Sequence, residues 1–103
     1  LIFSLKRFNN KSNRSYKINR FISYPLKLNL KKHNLNFGSK KSNIYALQSF
    51  AIHDGSLNGG HYYAICKNQL DKKWYKYNDK HVSAINEENV LEYSPYLFIY
   101  KRI

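Results

Sequence analysis

A histidine and a following asparagine–aspartate pair are the residues of this chain whose types and spacing could do chemistry. His61 comes after a glycine pair at the predicted start of one strand, and Asn78 and Asp79 stand at the predicted end of the next. An amide or carboxylate oxygen that accepts one imidazole N–H fixes the tautomer and leaves the other ring nitrogen free as a general base. The pattern therefore predicts a base with an orienting partner.

These side chains meet only if the two strands form a hairpin. Residues 61–67 and 74–77 have the composition of strands, and the polar segment 68–72 between them is typical of a tight turn. His61 lies nine residues before Leu70, and Asn78 lies eight after it. We therefore expect His61 and Asn78 to face each other directly across the ladder, with Cβ atoms roughly 4.5–5.5 Å apart.

The elements around this hairpin are predicted to be mostly strands. Period-two alternation of apolar residues favours strands over residues 1–8, 24–30, 44–53, 82–85 and 96–100. Polar composition predicts a loop over residues 9–15 and a long mobile loop over residues 31–43, and the glycines of 53–60 predict a turn.

One short helix is predicted over residues 86–92. Asn86 is of a residue type that commonly caps helix N-termini through its side chain. Glu87 and Glu88 would place two carboxylates in the first turn, where the helix dipole is positive. An antiparallel sheet with one minor helix belongs to the α+β class.

Length and composition narrow the class of protein. The chain has 103 residues, of which 43% are hydrophobic, so it fits one small domain and is too apolar for intrinsic disorder. Cys66 is the single cysteine, so the chain cannot form an internal disulfide, and this favours a reducing compartment. A single cysteine also excludes a cysteine-based zinc site within the chain. No run approaches the ~20 apolar residues that cross a bilayer, so we expect no membrane partner.

The net charge of +12 leaves two interpretations open. A basic chain of this kind is typical of nucleic-acid binders. The Lys and Arg residues are scattered along the whole sequence, however, and no nucleic-acid motif accompanies them. A solvated basic surface is therefore the favoured reading, and a basic nucleic-acid-binding domain is the less favoured one.

Five ordered motifs carry a resemblance to a known family. They are residues 5–8 (LKRF), 24–28 (YPLKL), 45–55 (YAL leading to HDG), 59–64 with 74–79 (GGHYYA and WYKYND), and 96–100 (YLFIY). In these motifs the chain resembles the ubiquitin-specific proteases, or ubiquitin carboxyl-terminal hydrolases, which are cysteine deubiquitinases.

The resemblance implies a fold and a domain organisation. The expected fold is papain-like, and residues 1–103 would be the mainly antiparallel C-terminal part of a single catalytic domain. The N-terminal part of that domain, which carries the family's cysteine box, would lie outside this chain and would be a structural partner of it. The chain alone would then be inactive. The complete protein would be found in the cytoplasm, the nucleus or both.

The resemblance also implies roles for individual residues. His61 would be the general base that deprotonates the nucleophilic cysteine, Asn78 would orient it, and Asp79 would assist. Gly59 and Gly60 would let the narrow Gly-Gly tail of ubiquitin pass close to the backbone, and Tyr62 would line the tail channel. The substrate would be ubiquitin or ubiquitinated proteins, and no metal or cofactor is implied.

Cys66 does not replace the missing nucleophile. It lies five residues after His61 on one predicted strand, so the two side chains point to opposite faces about 16 Å apart at ~3.3 Å per residue. Its expected role is that of a small buried hydrophobe. The alternative to an active protease is a ubiquitin-binding module whose parent protein has lost the cysteine.

Overall fold

The computed structural model describes residues 1–11, 14–35 and 38–103, and within them nearly all of the regular secondary structure is antiparallel strand. The strands are β1 (Ile2–Ser4), β2 (Phe8–Lys11), β3 (Arg14–Lys17), β4 (Lys27–Asn29), β5 (Ile44–Asp54), β6 (His61–Lys67), β7 (Trp74–Asn78), β8 (His81–Ile85) and β9 (Leu97–Arg102). The predicted fold class is confirmed for a mainly antiparallel sheet with very little helix.

The main sheet has the order β1-β9-β5-β6-β7-β8, with β4 also pairing with the start of β5. The long strand β5 is the centre, because β9 lies along one edge of it and β6 along the other. Its apolar residues are buried together with those of its neighbours. The core consists of Leu47, Phe50, Ile52, Ile65, Trp74, Val90, Phe98 and Tyr100. Burial of each large side chain contributes roughly 1.5–3 kcal/mol to stability, so this core fixes the hairpin that carries the candidate site.

The prediction of one strand over residues 1–8 followed by a loop over 9–15 is wrong. The chain leaves the main sheet after β1, and β2 pairs with β3 as a separate two-stranded sheet. Residues 12 and 13 of the expected loop lie outside the described residues. The break falls at Arg7, whose buried guanidinium donates to the carbonyl oxygens of Ile18, Arg20 and Pro95. Burial lowers the pKa of Arg7. The three carbonyl oxygens accept hydrogen bonds from its guanidinium, and a buried charge without such partners would be costly.

The expected helix is present at Glu87–Glu92, but it is a 3₁₀ helix and Asn86 makes no side-chain capping bond. The backbone oxygen of Asn86 accepts from Asn89 N–H instead, and the Glu87 carboxylate binds Lys67 and Trp74 Nε1. The Tyr24 hydroxyl donates to Val90 O within this segment, which is short, as 3₁₀ helices usually are.

Other predicted boundaries change as well, most clearly in two segments. Of the strand expected over 24–30, only Lys27–Asn29 forms a strand, which pairs with β5. The segment 31–43, predicted as a loop, contains a 3₁₀ turn at Lys31–His33, while residues 36 and 37 lie outside the described residues. In the described ranges, no helix has the length and apolar character that a bilayer crossing requires.

Candidate active site

The structure brings His61 and Asn78 into contact. His61 opens β6, Asn78 closes β7, and His61 Nε2 lies 2.5 Å from Asn78 Oδ1. The contact is diagonal, however, and not the direct cross-strand pair that we predicted. The ladder pairs Ala64 with Tyr77, and the same register places Asn78 opposite Tyr63.

The register differs because the turn is longer than its composition suggests. Asn68 N–H donates to Lys73 O, so the turn closes around residues 68–73 and its centre lies between Leu70 and Asp71. Lys72 adopts a positive φ of 62° inside it. The observed register differs from the predicted one by two residues. A difference of two keeps every side chain on the same face of the sheet, whereas a difference of one would move each to the other face. His61 and Asn78 therefore remain on one face and meet as diagonal neighbours.

Asp79 completes the cluster from the β7–β8 turn. Its carboxylate oxygen lies 3.8 Å from His61 Nε2. Asp79 has a φ of 52°, the left-handed conformation that Asp tolerates better than most residues. The turn thus aims a carboxylate at the ring and makes it available to a protonated imidazole.

This arrangement has the chemistry of an oriented base. When the Asn78 amide oxygen accepts a hydrogen bond from Nε2–H, the neutral tautomer carries its proton there and Nδ1 is left as the free basic nitrogen. About half of the His61 side chain is exposed (49%), so a reacting group has access to it. Among the described residues, no three His, Cys, Asp or Glu side chains come together as a metal site.

The two glycines predicted to bind substrate have different surroundings. A β-carbon on Gly59 would come no nearer to another group than 4.0 Å, from Ser56 Oγ, so the space beside it is open. A β-carbon on Gly60 would lie 1.7 Å from His53 Nε2. Gly60 is therefore required by packing within the chain, which is not the reason that we gave for it. A role of either glycine in substrate binding stays a prediction.

Tyr62 does not share a face with His61. Neighbouring strand residues point to opposite faces, and Tyr62 contacts His53 at 4.6 Å and Tyr96 at 5.8 Å between ring centroids. It is nevertheless 56% exposed. Its expected place along a tail channel stays a prediction.

Cys66 lies on β6, five residues from His61, and alternation places the two on opposite faces. Its side chain is partly buried, and this burial raises the pKa of the thiol. Both features favour an inert thiol over a nucleophile.

Sequence reasoning missed two residues beside the site. His53 is buried directly beneath Gly60. Lys17 was not singled out, and its ammonium donates to both His53 O and Gly55 O. A signal for His53 was present, since it lies near the end of β5, beside the turn that leads to His61. No local pattern indicated Lys17, because it comes from the separate β2–β3 sheet.

The chain is similar in sequence to known proteins of one family. The sequence profile of the family described as ubiquitin carboxyl-terminal hydrolase matches residues 1–100. Ubiquitin carboxyl-terminal hydrolase 10 of Arabidopsis thaliana is 38% identical over the whole chain, which spans 11% of that protein's length. Ubiquitin carboxyl-terminal hydrolase 8 of Saccharomyces cerevisiae is 40% identical over 97% of the chain, which spans 23% of it.

Solved structures show the same relationship. The SAGA Ubp8/Sgf11/Sus1/Sgf73 DUB module superimposes with a TM-score of 0.89 at 36% identity, covering all of this chain and 23% of that one. The same module bound to ubiquitin aldehyde gives a TM-score of 0.88 at 35% identity, with 24% of that chain covered. The observed sheet is consistent with the papain-like fold that the family resemblance implies. The profile match over nearly every residue, together with these relatives, shows that the chain belongs to the ubiquitin carboxyl-terminal hydrolase family.

Proposed function

We propose that this chain supplies the base and its orienting partners to a cysteine-type deubiquitinase that cleaves the bond after the C-terminal glycine of ubiquitin. The observation that carries the proposal is the 2.5 Å contact between His61 Nε2 and Asn78 Oδ1 at the open end of the β6–β7 hairpin. It leaves Nδ1 free to take a proton from a thiol, which is the first step of Cys–His–Asn hydrolysis.

The proposed reaction runs in two halves. His61 Nδ1 accepts the thiol proton, and the thiolate attacks the glycine carbonyl carbon of ubiquitin. The resulting imidazolium, 3.8 Å from the Asp79 carboxylate, returns its proton to the departing amine as the C–N bond breaks. A water molecule, deprotonated by the same nitrogen, then hydrolyses the acyl-enzyme and releases ubiquitin and the thiol.

The nucleophilic cysteine is proposed to come from a segment outside residues 1–103. Cys66 is on the other face of β6 with a raised pKa, which makes it unsuitable. The chain spans 11% to 23% of the relatives described above, so it corresponds to one part of such a protein. We propose that it is the C-terminal part of the catalytic domain. Exposed apolar side chains on and near β1, namely Ile2, Phe3, Phe21 and Ile22, would contact the remaining part.

Ubiquitin is the proposed substrate because a related DUB module was solved with ubiquitin aldehyde bound. Neither an inactive ubiquitin-binding module nor a nucleic-acid-binding domain is favoured by the family match. A reducing compartment, cytoplasmic or nuclear, suits a site that depends on a free thiol.

The experiment is cleavage of ubiquitin carrying a C-terminal fluorogenic amide by the complete polypeptide that contains this chain. His61→Ala should lower kcat/KM by at least about 10³-fold, since it removes the base. His33→Ala is the matched control, because His33 is an exposed histidine near the opposite end of β5. Equal loss in both variants, or full activity of His61→Ala, would contradict the proposal.

A further inference from the structure

His53 is a buried histidine next to the site that the proposed reaction does not use. It is 6% exposed at the end of β5, where it pairs with Tyr62 across the β5–β6 ladder. Within the described part of the chain, its Nδ1 is a buried side-chain nitrogen that has no hydrogen-bond partner. Buried polar atoms are normally paired, so this exception calls for a reason other than hydrogen bonding.

The ring of His53 supports the backbone that leads into His61. Its Nε2, Cε1 and Cδ2 atoms would lie 1.7, 2.1 and 2.7 Å from a β-carbon on Gly60. The imidazole edge therefore fills the space that a side chain of residue 60 would take. Because His61 is the next residue, the position of the His53 ring limits how close the peptide that connects Gly60 to His61 can come to β5.

The other side of His53 is fixed as well. Phe8 contacts its ring edge to face at 5.2 Å and Tyr62 contacts it at 4.6 Å between centroids. Lys17 donates to the carbonyl oxygen of His53 and, at 3.2 Å, to that of Gly55. The ring is thus contacted from β2 and β6, while Lys17 of β3 holds the His53 backbone, so the ring can block motion of the Gly60 backbone toward β5.

We propose that His53 is a positioning residue for His61: its ring acts as a stop beneath Gly60 that keeps His61 Nε2 within reach of Asn78. This inference rests on the proposed function, because the quantity that it sets is the geometry of the base. A displacement of about 1 Å at a catalytic group can cost on the order of 10²-fold in rate, so a ring-sized void under Gly60 has a measurable effect.

The test is a comparison of His53→Ala, Gly60→Ala and the double variant in the complete polypeptide, with Leu47→Ala as control. Leu47 is 2% exposed on the same strand, so its truncation also opens the core but leaves Gly60 untouched. Below the melting temperature of every variant, His53→Ala should lower kcat for the ubiquitin amide about 10- to 100-fold with less than threefold change in KM. Leu47→Ala should leave kcat within about twofold.

The double variant keeps the proposal falsifiable if a single variant is poorly folded. Gly60→Ala should lower the melting temperature strongly through its clash with the ring. Adding His53→Ala removes the clash, so the double variant should be more stable and more active than Gly60→Ala alone. A His53→Ala enzyme with unchanged kcat, or a double variant no better than Gly60→Ala, would overturn the positioning role while leaving the proposed function intact. A wild-type polypeptide that fails to cleave ubiquitin would overturn both.

Discussion

At the scale of single residues, the candidate site depends on which atoms of His61 are engaged. Asn78 contacts Nε2 and Asp79 lies near the same nitrogen, so both partners act on Nε2 and neither acts on Nδ1. Because both partners act on Nε2, Nδ1 is the nitrogen that can accept a proton. A histidine that was contacted on both nitrogens would have no free atom with which to accept a proton.

The glycines before His61 separate a folding requirement from a functional one. Gly60 has a neighbouring ring where its β-carbon would be, while Gly59 has open space. Gly59→Ala should therefore leave the melting temperature unchanged. If the tail of ubiquitin passes close to the Gly59 backbone, the added methyl group should lower kcat/KM about 10- to 100-fold.

The measurement for Gly59→Ala is steady-state cleavage of the ubiquitin amide, together with a thermal melt. Asn58→Ala is the control, since it truncates an exposed side chain one residue earlier in the same loop. Unchanged kcat/KM in Gly59→Ala would mean that the substrate does not approach this backbone.

At the scale of elements, the hairpin was the most predictable part of the chain. Strand β6 matches its predicted range of residues 61–67, because a turn and a glycine pair bound it clearly. The register was not predictable in the same way. It depends on the turn at residues 68–73, where Lys72 takes a positive φ that sequence alone favours for glycine or asparagine.

The β2–β3 sheet and the contacts of His53 were beyond prediction for a different reason. Segment 9–15 is polar, and its strands pair with each other as a small ribbon that buries little on its own. Arg7, just before β2, helps to fix it, and the partners of Arg7 lie as far away as Pro95 in sequence. Contacts between positions so distant leave no local pattern, and Lys17 reaches His53 by the same kind of contact.

A carboxylate links the 3₁₀ helix to the hairpin and predicts a pH dependence of stability. Glu87 accepts hydrogen bonds from Lys67 and from Trp74 Nε1, each at 3.1 Å, and the bond with Lys67 is the main cause of its lowered pKa. A carboxyl whose pKa is lowered by folding stabilises the native state above its unfolded pKa. That stabilisation is lost as the pH falls through the folded pKa.

Glu87→Gln should therefore cost stability at pH 7 and cost progressively less as the pH falls below about 4. The Glu87 side chain is 55% exposed, so the cost at pH 7 should be only about 0.5 kcal/mol. Denaturant unfolding at pH 7 and pH 3.5 measures the difference, and Glu88→Gln provides a neighbouring change of equal charge. A cost of Glu87→Gln that is the same at both pH values would show that the ion pair is not responsible.

At the scale of the whole molecule, charge is distributed unevenly along the chain. All six Asp and Glu residues lie between residues 54 and 92, on and around the hairpin that carries the site, whereas both ends of the chain carry only cations. The acidic residues thus include Asp79 and Glu87, which have defined partners in the structure. We interpret the surplus of Lys and Arg as a solvated basic surface.

If His61 is the base that we propose, it needs a thiol from elsewhere in the polypeptide, because Cys66 lies on the other face of β6. A thiol paired with an imidazole ionises well below the ordinary cysteine pKa of about 8.5, whereas an unpaired thiol reacts near that value. The pH at which the thiol becomes reactive therefore reports directly on whether His61 is paired with it.

The most direct measurement is the pH dependence of labelling by a ubiquitin probe that carries a C-terminal electrophile. The complete polypeptide should be labelled rapidly at pH 6.5, and His61→Ala should be labelled only as the pH approaches about 8.5–9. Residues 1–103 alone should remain unlabelled at pH 6.5, since Cys66 has a raised pKa and is partly buried. Labelling of the complete polypeptide and of His61→Ala with the same pH profile would contradict the assignment of His61 as the base.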